Sequence, residues 1–130
     1  MQTIFPLLRY EKADAALEWL CNSFGFEVLF RVPESGPIVR HAQLRLGDNI
    51  IMLGSTRPED GMQSPMMVGA STQAICVFVE ELDAHFARSE KAGVKITLPL
   101  EETDFGTREY HALDLEDHPW IFGSYRPQFD

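Results

Sequence analysis

Two glycines, Gly25 and Gly93, close two stretches of helical spacing, and the elements around them recur in one order. Their offset is about 68 to 69 residues, so the chain reads as one strand-helix-strand-strand-strand unit used twice. Residues 3–10 alternate as a strand, with Ile4, Leu8 and Tyr10 on one side and Phe5, Leu7 and Arg9 on the other. Residues 12–24 follow, where Ala13, Ala16, Leu17, Leu20 and Phe24 form an apolar face flanked by Trp19. Residues 26–32 make the next strand. Residues 40–46 alternate cleanly, and Gly47-Asp48-Asn49 turns the chain into a return strand at 50–53.

The second unit has the same parts with little residue identity to the first. Residues 74–79 and 94–98 read as strands on either side of a helix at 82–92 that carries Leu82, Phe86 and Ser89 or Glu90. An acidic loop is predicted over 99–106, a strand over 108–114, and a closing strand over 118–125. Between the units, residues 54–73 have no period and are rich in Gly, Ser, Pro and Met. This segment reads as a lid, a linker or a dimer contact, and Met62, Met66 and Met67 within it could touch a ligand or a second subunit or simply pin the loop. One domain is predicted, with module one at 1–53 and module two at 74–130.

Bulk properties exclude several classes. A chain of 130 residues, 45% hydrophobic and 24% charged, has enough apolar material for a core without staples. No apolar run approaches a membrane span and the first residues lack a signal-type pattern, so a cytoplasmic protein is expected. Cys21 and Cys76 fit reduced thiols better than a disulfide framework. The net charge of −9 argues against nucleic acid and anionic membrane as partners; it suits a cationic ligand or simply a soluble surface. Phosphate-cradling loops, dinucleotide fingerprints, Gly-x-Ser-x-Gly elbows and His-Glu-x-x-His helices are absent from the sequence.

The turn Asp114-Leu115-Glu116-Asp117-His118 and the strand Pro119-Trp120-Ile121-Phe122-Gly123 give the doubled order a family resemblance. Arg9-Tyr10, Phe24-Gly25-Phe26 and His41-Ala42-Gln43-Leu44-Arg45-Leu46-Gly47-Asp48 add to it. The chain resembles the vicinal oxygen chelate superfamily of glyoxalases, bleomycin-resistance proteins and extradiol dioxygenases, nearest to its small PhnB-like bacterial subgroup. The resemblance implies an α+β fold of two βαβββ modules forming a cupped mixed sheet with helices on the outer face. It also implies a homodimer with two equivalent pockets.

Metal-using members of that superfamily place ligands on the first and last strands of each module. Carried over, those positions are Phe5, Met52, Ala74 and Ile121, with Ile121 standing where the family has a glutamate. None suits a hard or borderline divalent ion, and of their neighbours only Gln73 could coordinate, weakly. No metal and no cofactor are therefore expected. Alternation then places Arg9, His41, Gln43, Arg45 and Met52 in the cup from module one, and Arg108, Tyr110 and Ala112 from module two. Ala74, Cys76 and Phe78 would add an apolar wall.

Each polar group has a plainer alternative. Arg9 and Arg45 could be solvated strand ends, His41 a structural histidine, and Arg108 with Tyr110 either an oxygen-binding pair or a cross-strand structural one. His118 and Trp120 read as structural.

The expected function is metal-independent capture of a small molecule, with no turnover assigned. Sequestration of a bleomycin-type antibiotic, a lyase or dioxygenase with a displaced metal site, and a partner-binding dimer with a filled cup are the alternatives. The cationic groups expected inside the cup favour a neutral or anionic ligand, against the direction of the net charge.

Overall fold

The structure, a computed structural model, describes residues 1–129. β1 (Leu7–Tyr10) leads into α1 (Ala13–Phe24), and β2 (Glu27–Val32), β3 (His41–Leu46) and β4 (Asn49–Ser55) complete module one. A 3-10 turn (Pro58–Asp60) and a single helical turn, α2 (Pro65–Val68), connect to the repeat. Module two consists of β5 (Ile75–Phe78), α3 (Leu82–Lys91), β6 (Lys95–Glu102), β7 (Arg108–Leu113) and β8 (Pro119–Gly123). The sheets have the orders β1-β4-β3-β2 and β5-β8-β7-β6, so each module's first strand lies parallel to its last. Parallel neighbours need a crossover, and the helix with two further strands supplies it.

Strand boundaries differ from the sequence reading in two informative places. β4 runs on to Ser55 because Arg9 and Tyr10 of β1 pair with Gly54 and Ser55. β6 extends through Glu102 where a loop is predicted from residue 99. It is an edge strand, and its register against β7 shifts between Leu98 and Glu101, so Pro99 falls where a missing N–H costs no ladder bond.

One apolar cluster joins the modules. Leu8, Tyr10, Ala42, Leu44 and Leu53 from the first sheet meet Tyr110, Ala112, Trp120 and Phe122 from the second around Ala13, Ala16, Leu20 and Phe24 of α1. The Phe24 ring lies 5.3 Å from Trp120 and 4.7 Å from Phe122, so a module-one helix packs on the module-two sheet. Gly25, at φ 88°, makes the left-handed turn that ends α1.

Module two also supplies both ends of α1. No side chain of its own caps the N-terminus; instead the Glu116 carboxylate accepts the backbone N–H of Glu11 at 2.7 Å and of Lys12 at 2.8 Å. At the other end Arg88 donates to the carbonyls of Asn22 (3.2 Å) and Cys21 (3.1 Å). An anion at the N-terminus and a cation at the C-terminus both complement the helix dipole.

The acidic turn after β7 is thus a joint. Asp114 Oδ2 accepts from the Tyr10 hydroxyl at 2.6 Å and Trp120 Nε1 at 3.1 Å, while Oδ1 accepts the N–H groups of Glu116 and His118. Burial raises the Asp114 pKa, opposed by those donors, and raises that of Tyr10 well above the usual phenol value. His118 Nε2 donates to the Arg9 carbonyl at 2.8 Å and Trp120 is fully buried, so both are structural, as the sequence indicates.

A second joint runs through His85. Its Nε2 donates to the Phe24 carbonyl (2.9 Å), which leaves Nδ1 to accept from the Tyr110 hydroxyl (2.6 Å); Ser89 Oγ lies 2.8 Å from that same hydroxyl. Burial, with Arg88 nearby, lowers the His85 pKa, against the Phe24 bond that raises it.

Two outcomes are expected. Glu116→Ala leaves two backbone donors at the module joint without their anion and should cost about 3 kcal/mol, a fall in Tm of roughly 10 °C; Arg88→Ala, at an exposed site, should cost at most about 1 kcal/mol. Because the His85 pKa is lowered on folding, its contribution is complete above about pH 6.5 and is lost as pH falls through the folded value, by at most about 1.4 kcal/mol per pH unit. Urea denaturation of the wild type and His85→Gln from pH 7.5 to 5 checks this: the variant should lose that part of the slope.

Candidate functional site

The helix-side faces of both sheets are buried in the shared core, and the opposite faces are open. On module one the open face presents Leu7 and Arg9 from β1, Met52 from β4, His41, Gln43 and Arg45 from β3, and Phe30 and Val32 from β2. Pairing shows why: Leu7, Met52 and Gln43 stand side by side across three strands, while Ala42, Leu44, Ile51 and Leu53 point into the core. Arg9, His41, Gln43, Arg45 and Met52, which alternation assigns to the cup, thus share this open face. Gln43 Nε2 lies 3.1 Å from His41 Nε2, and the Phe30 ring is 5.7 Å from the imidazole.

On module two the open face carries Cys76 and Phe78 from β5, Ile121 from β8, and Glu109 and His111 from β7. Here the sequence expectation is corrected. Arg108, Tyr110 and Ala112 belong to the helix side, since Tyr110 pairs with Phe122 and Ala112 with Trp120, all buried. Tyr110 is a core residue with its hydroxyl satisfied by His85 and Ser89, and burial pushes its pKa up to about 12. Arg108 forms a forked pair with Asp83 of α3, at 2.7 and 3.2 Å.

The residues missed are Glu109 and His111, which hydrogen-bond through Oε2 and Nε2. The sequence carries a signal for them: Ile121 holds a position that faces the cup in metal-using members, and the tight turn at 114–118 sets His111 opposite it. A carboxylate that fixes one imidazole nitrogen leaves the other for a ligand or a proton.

Neither open face is closed within one chain. Leu7 and Phe30 are each 44% exposed and Phe78 39%. A hollow of about 550 Å³ at the end of β2 is lined by Phe30 and Val32 of the open face together with Arg31, Pro33 and Glu34, and another of about 280 Å³ lies beside His85 and Arg88. The faces are thus two walls, each apolar with a few polar groups.

The metal that the fold class implies does not fit these walls. Phe5 and Ala74 precede their strands, and Met52 and Ile121 face outward without a carboxylate or imidazole beside them in register except His111. Among the described residues no three His, Cys, Asp or Glu side chains converge.

Two βαβββ modules, each a four-stranded sheet backed by a helix, define the vicinal oxygen chelate class of folds. The chain belongs to the glyoxalase/bleomycin resistance protein/dioxygenase superfamily, whose family model matches residues 4–122. It is 28% identical over 121 residues to an uncharacterised protein of Mycobacterium bovis, covering 91% of this chain and 80% of that one. Among solved structures it is similar to TioX from Micromonospora sp. ML1, with 33% identity, TM-score 0.77, and 99% and 100% of the two chains covered. The bleomycin resistance determinant encoded on transposon Tn5 shares the fold at 16% identity and TM-score 0.74, with 98% and 100% covered. No helix among the described residues is long and apolar enough to cross a membrane.

Since Arg108 lies on the helix side with an exposed partner, Arg108→Ala should lower Tm by no more than about 2 °C and leave the NMR signals of open-face residues in place. A shift of the Gln43 or His111 resonances in that variant would restore Arg108 to the face.

Proposed function

We propose that this chain is a metal-independent small-molecule-binding protein acting as a homodimer. The module-one face of each copy is closed by the module-two face of the other, giving two equivalent cups. The observation that carries this reading is the character of the open faces. Large apolar side chains, Leu7, Phe30 and Phe78, stand exposed around a small set of polar ones, Arg9, His41, Gln43, Glu109 and His111. A surface of that kind, apolar and rimmed by polar groups, marks a site for a partner or ligand. Met62, Met66 and Met67 in the segment between the modules are also exposed, and adaptable side chains of that kind suit the dimer seam.

Sequestration of a drug is the second reading, supported by the likeness to a bleomycin resistance determinant and by Glu109 on the open face of an acidic protein. Capture, with no bond made or broken, asks of the walls only shape and a few hydrogen bonds. A lyase or dioxygenase would need a metal shell that the open positions lack.

Analytical ultracentrifugation should give a dimer at micromolar concentration. Elemental analysis should find no stoichiometric divalent metal, with Tm unchanged by chelator. A monomer would defeat the shared cup, and a bound metal whose removal lowers Tm would replace capture with metal-dependent chemistry.

A further inference from the structure

The two open faces carry a glycine at equivalent places, and the side chains around the two glycines are opposite in chemistry. On module one Gly54 lies beside Arg9 in register, one residue past the pair Ala42–Leu53, and His41 precedes Ala42 on the adjoining strand β3. A Cβ on Gly54 would stand 3.0 Å from Arg9 Nη1 and 3.0 Å from the Arg40 carbonyl, so a side chain there would crowd the guanidinium. Arg9 donates one bond, to the Ser55 carbonyl at 3.2 Å; its Nε is buried without a partner, and no carboxylate pairs with it among the described residues. A half-buried guanidinium with spare donors is a site for an oxyanion.

On module two Gly123 lies between Phe78 and Glu109 in register. A Cβ there would stand 3.0 Å from the Arg108 carbonyl and 3.2 Å from Glu109 Cβ. An aromatic face with a carboxylate beside it attracts a cation, and one is already present: the Arg126 guanidinium lies 5.0 Å from the Phe78 ring centroid. The repeat that relates Gly54 to Gly123 also relates Arg9 to Phe78 and His41 to Glu109, at about 68 to 69 residues. Duplication kept the floor and changed the walls.

We propose that the ligand is a dipolar small molecule whose anionic oxygens sit on Arg9 and His41 over Gly54, and whose guanidinium, amidinium or ammonium end displaces Arg126 from Phe78 and Glu109 over Gly123. This rests on the shared-cup reading, because a second copy brings the two floors together. It resolves the conflict between an acidic protein and basic groups in the site: each wall takes one end.

Amide NMR titration of the full chain with benzoate, benzamidinium and 4-guanidinobenzoate tests it. Benzoate should shift Gly54 and lose that effect in Arg9→Gln. Benzamidinium should shift Gly123, lose the effect in Glu109→Gln, and bind several-fold tighter in Arg126→Ala, where the internal competitor is gone. The dipolar probe should bind at least roughly tenfold tighter than either single-charge probe, and each variant should remove that gain.

Sedimentation of the same samples separates the failures. A dimer that shows no gain with the dipolar probe, or whose Gly54 and Gly123 signals ignore the single-charge probes, overturns the dipolar ligand and leaves the shared cup standing. A monomer overturns the shared cup, and the dipolar ligand with it.

Discussion

Helix α1 is anchored at both ends by charges it does not own. Its sequence offers a good apolar stripe but no N-cap side chain, and the missing anion is Glu116, from the turn between β7 and β8. Arg88 of α3 takes the last carbonyls. Between these points Phe24 lies on the aromatic core of module two. Two modules that could pack in many orientations are thereby fixed in one, since helix length sets the distance between the two charges. Everything about the open faces follows, because the helix sides of both sheets are committed to this joint.

Much of this architecture was legible in sequence because the periods are clean. β3 alternates His41, Gln43 and Arg45 against Ala42, Leu44 and Leu46, and only one phase puts the apolar set inside. β7 has no such contrast. Arg108, Tyr110 and Ala112 on one phase and Glu109, His111 and Leu113 on the other each hold a charge, a ring and an aliphatic group. Its phase is set by pairing with β8 and by hydrogen bonds to α3 that turn Tyr110 into a core residue, and neither is a property of the strand alone. The acidic turn carries the family resemblance, yet its work is structural: Asp114, Glu116 and His118 each reach a residue or backbone group of module one.

The candidate site shows what a duplicated module can vary. Pairing and floor are held in common, as the equivalent rows Leu7–Met52–Gln43 and Cys76–Ile121–His111 demonstrate. Side chains on the open face carry no packing duty in the chain's own core, so one wall has become basic and the other acidic and aromatic at little cost to the fold.

The placement of Glu116 also bears on how the protein is made. The carboxylate that completes α1 is separated from Lys12 by 104 residues of sequence. At a typical synthesis rate of about 5–20 residues per second, module one leaves the ribosome several seconds before its helix gains that anion. Over that interval its sheet has an exposed apolar side where module two will dock, a surface prone to association with other chains. The repeated unit, although it looks self-sufficient, is finished only by a residue of its successor.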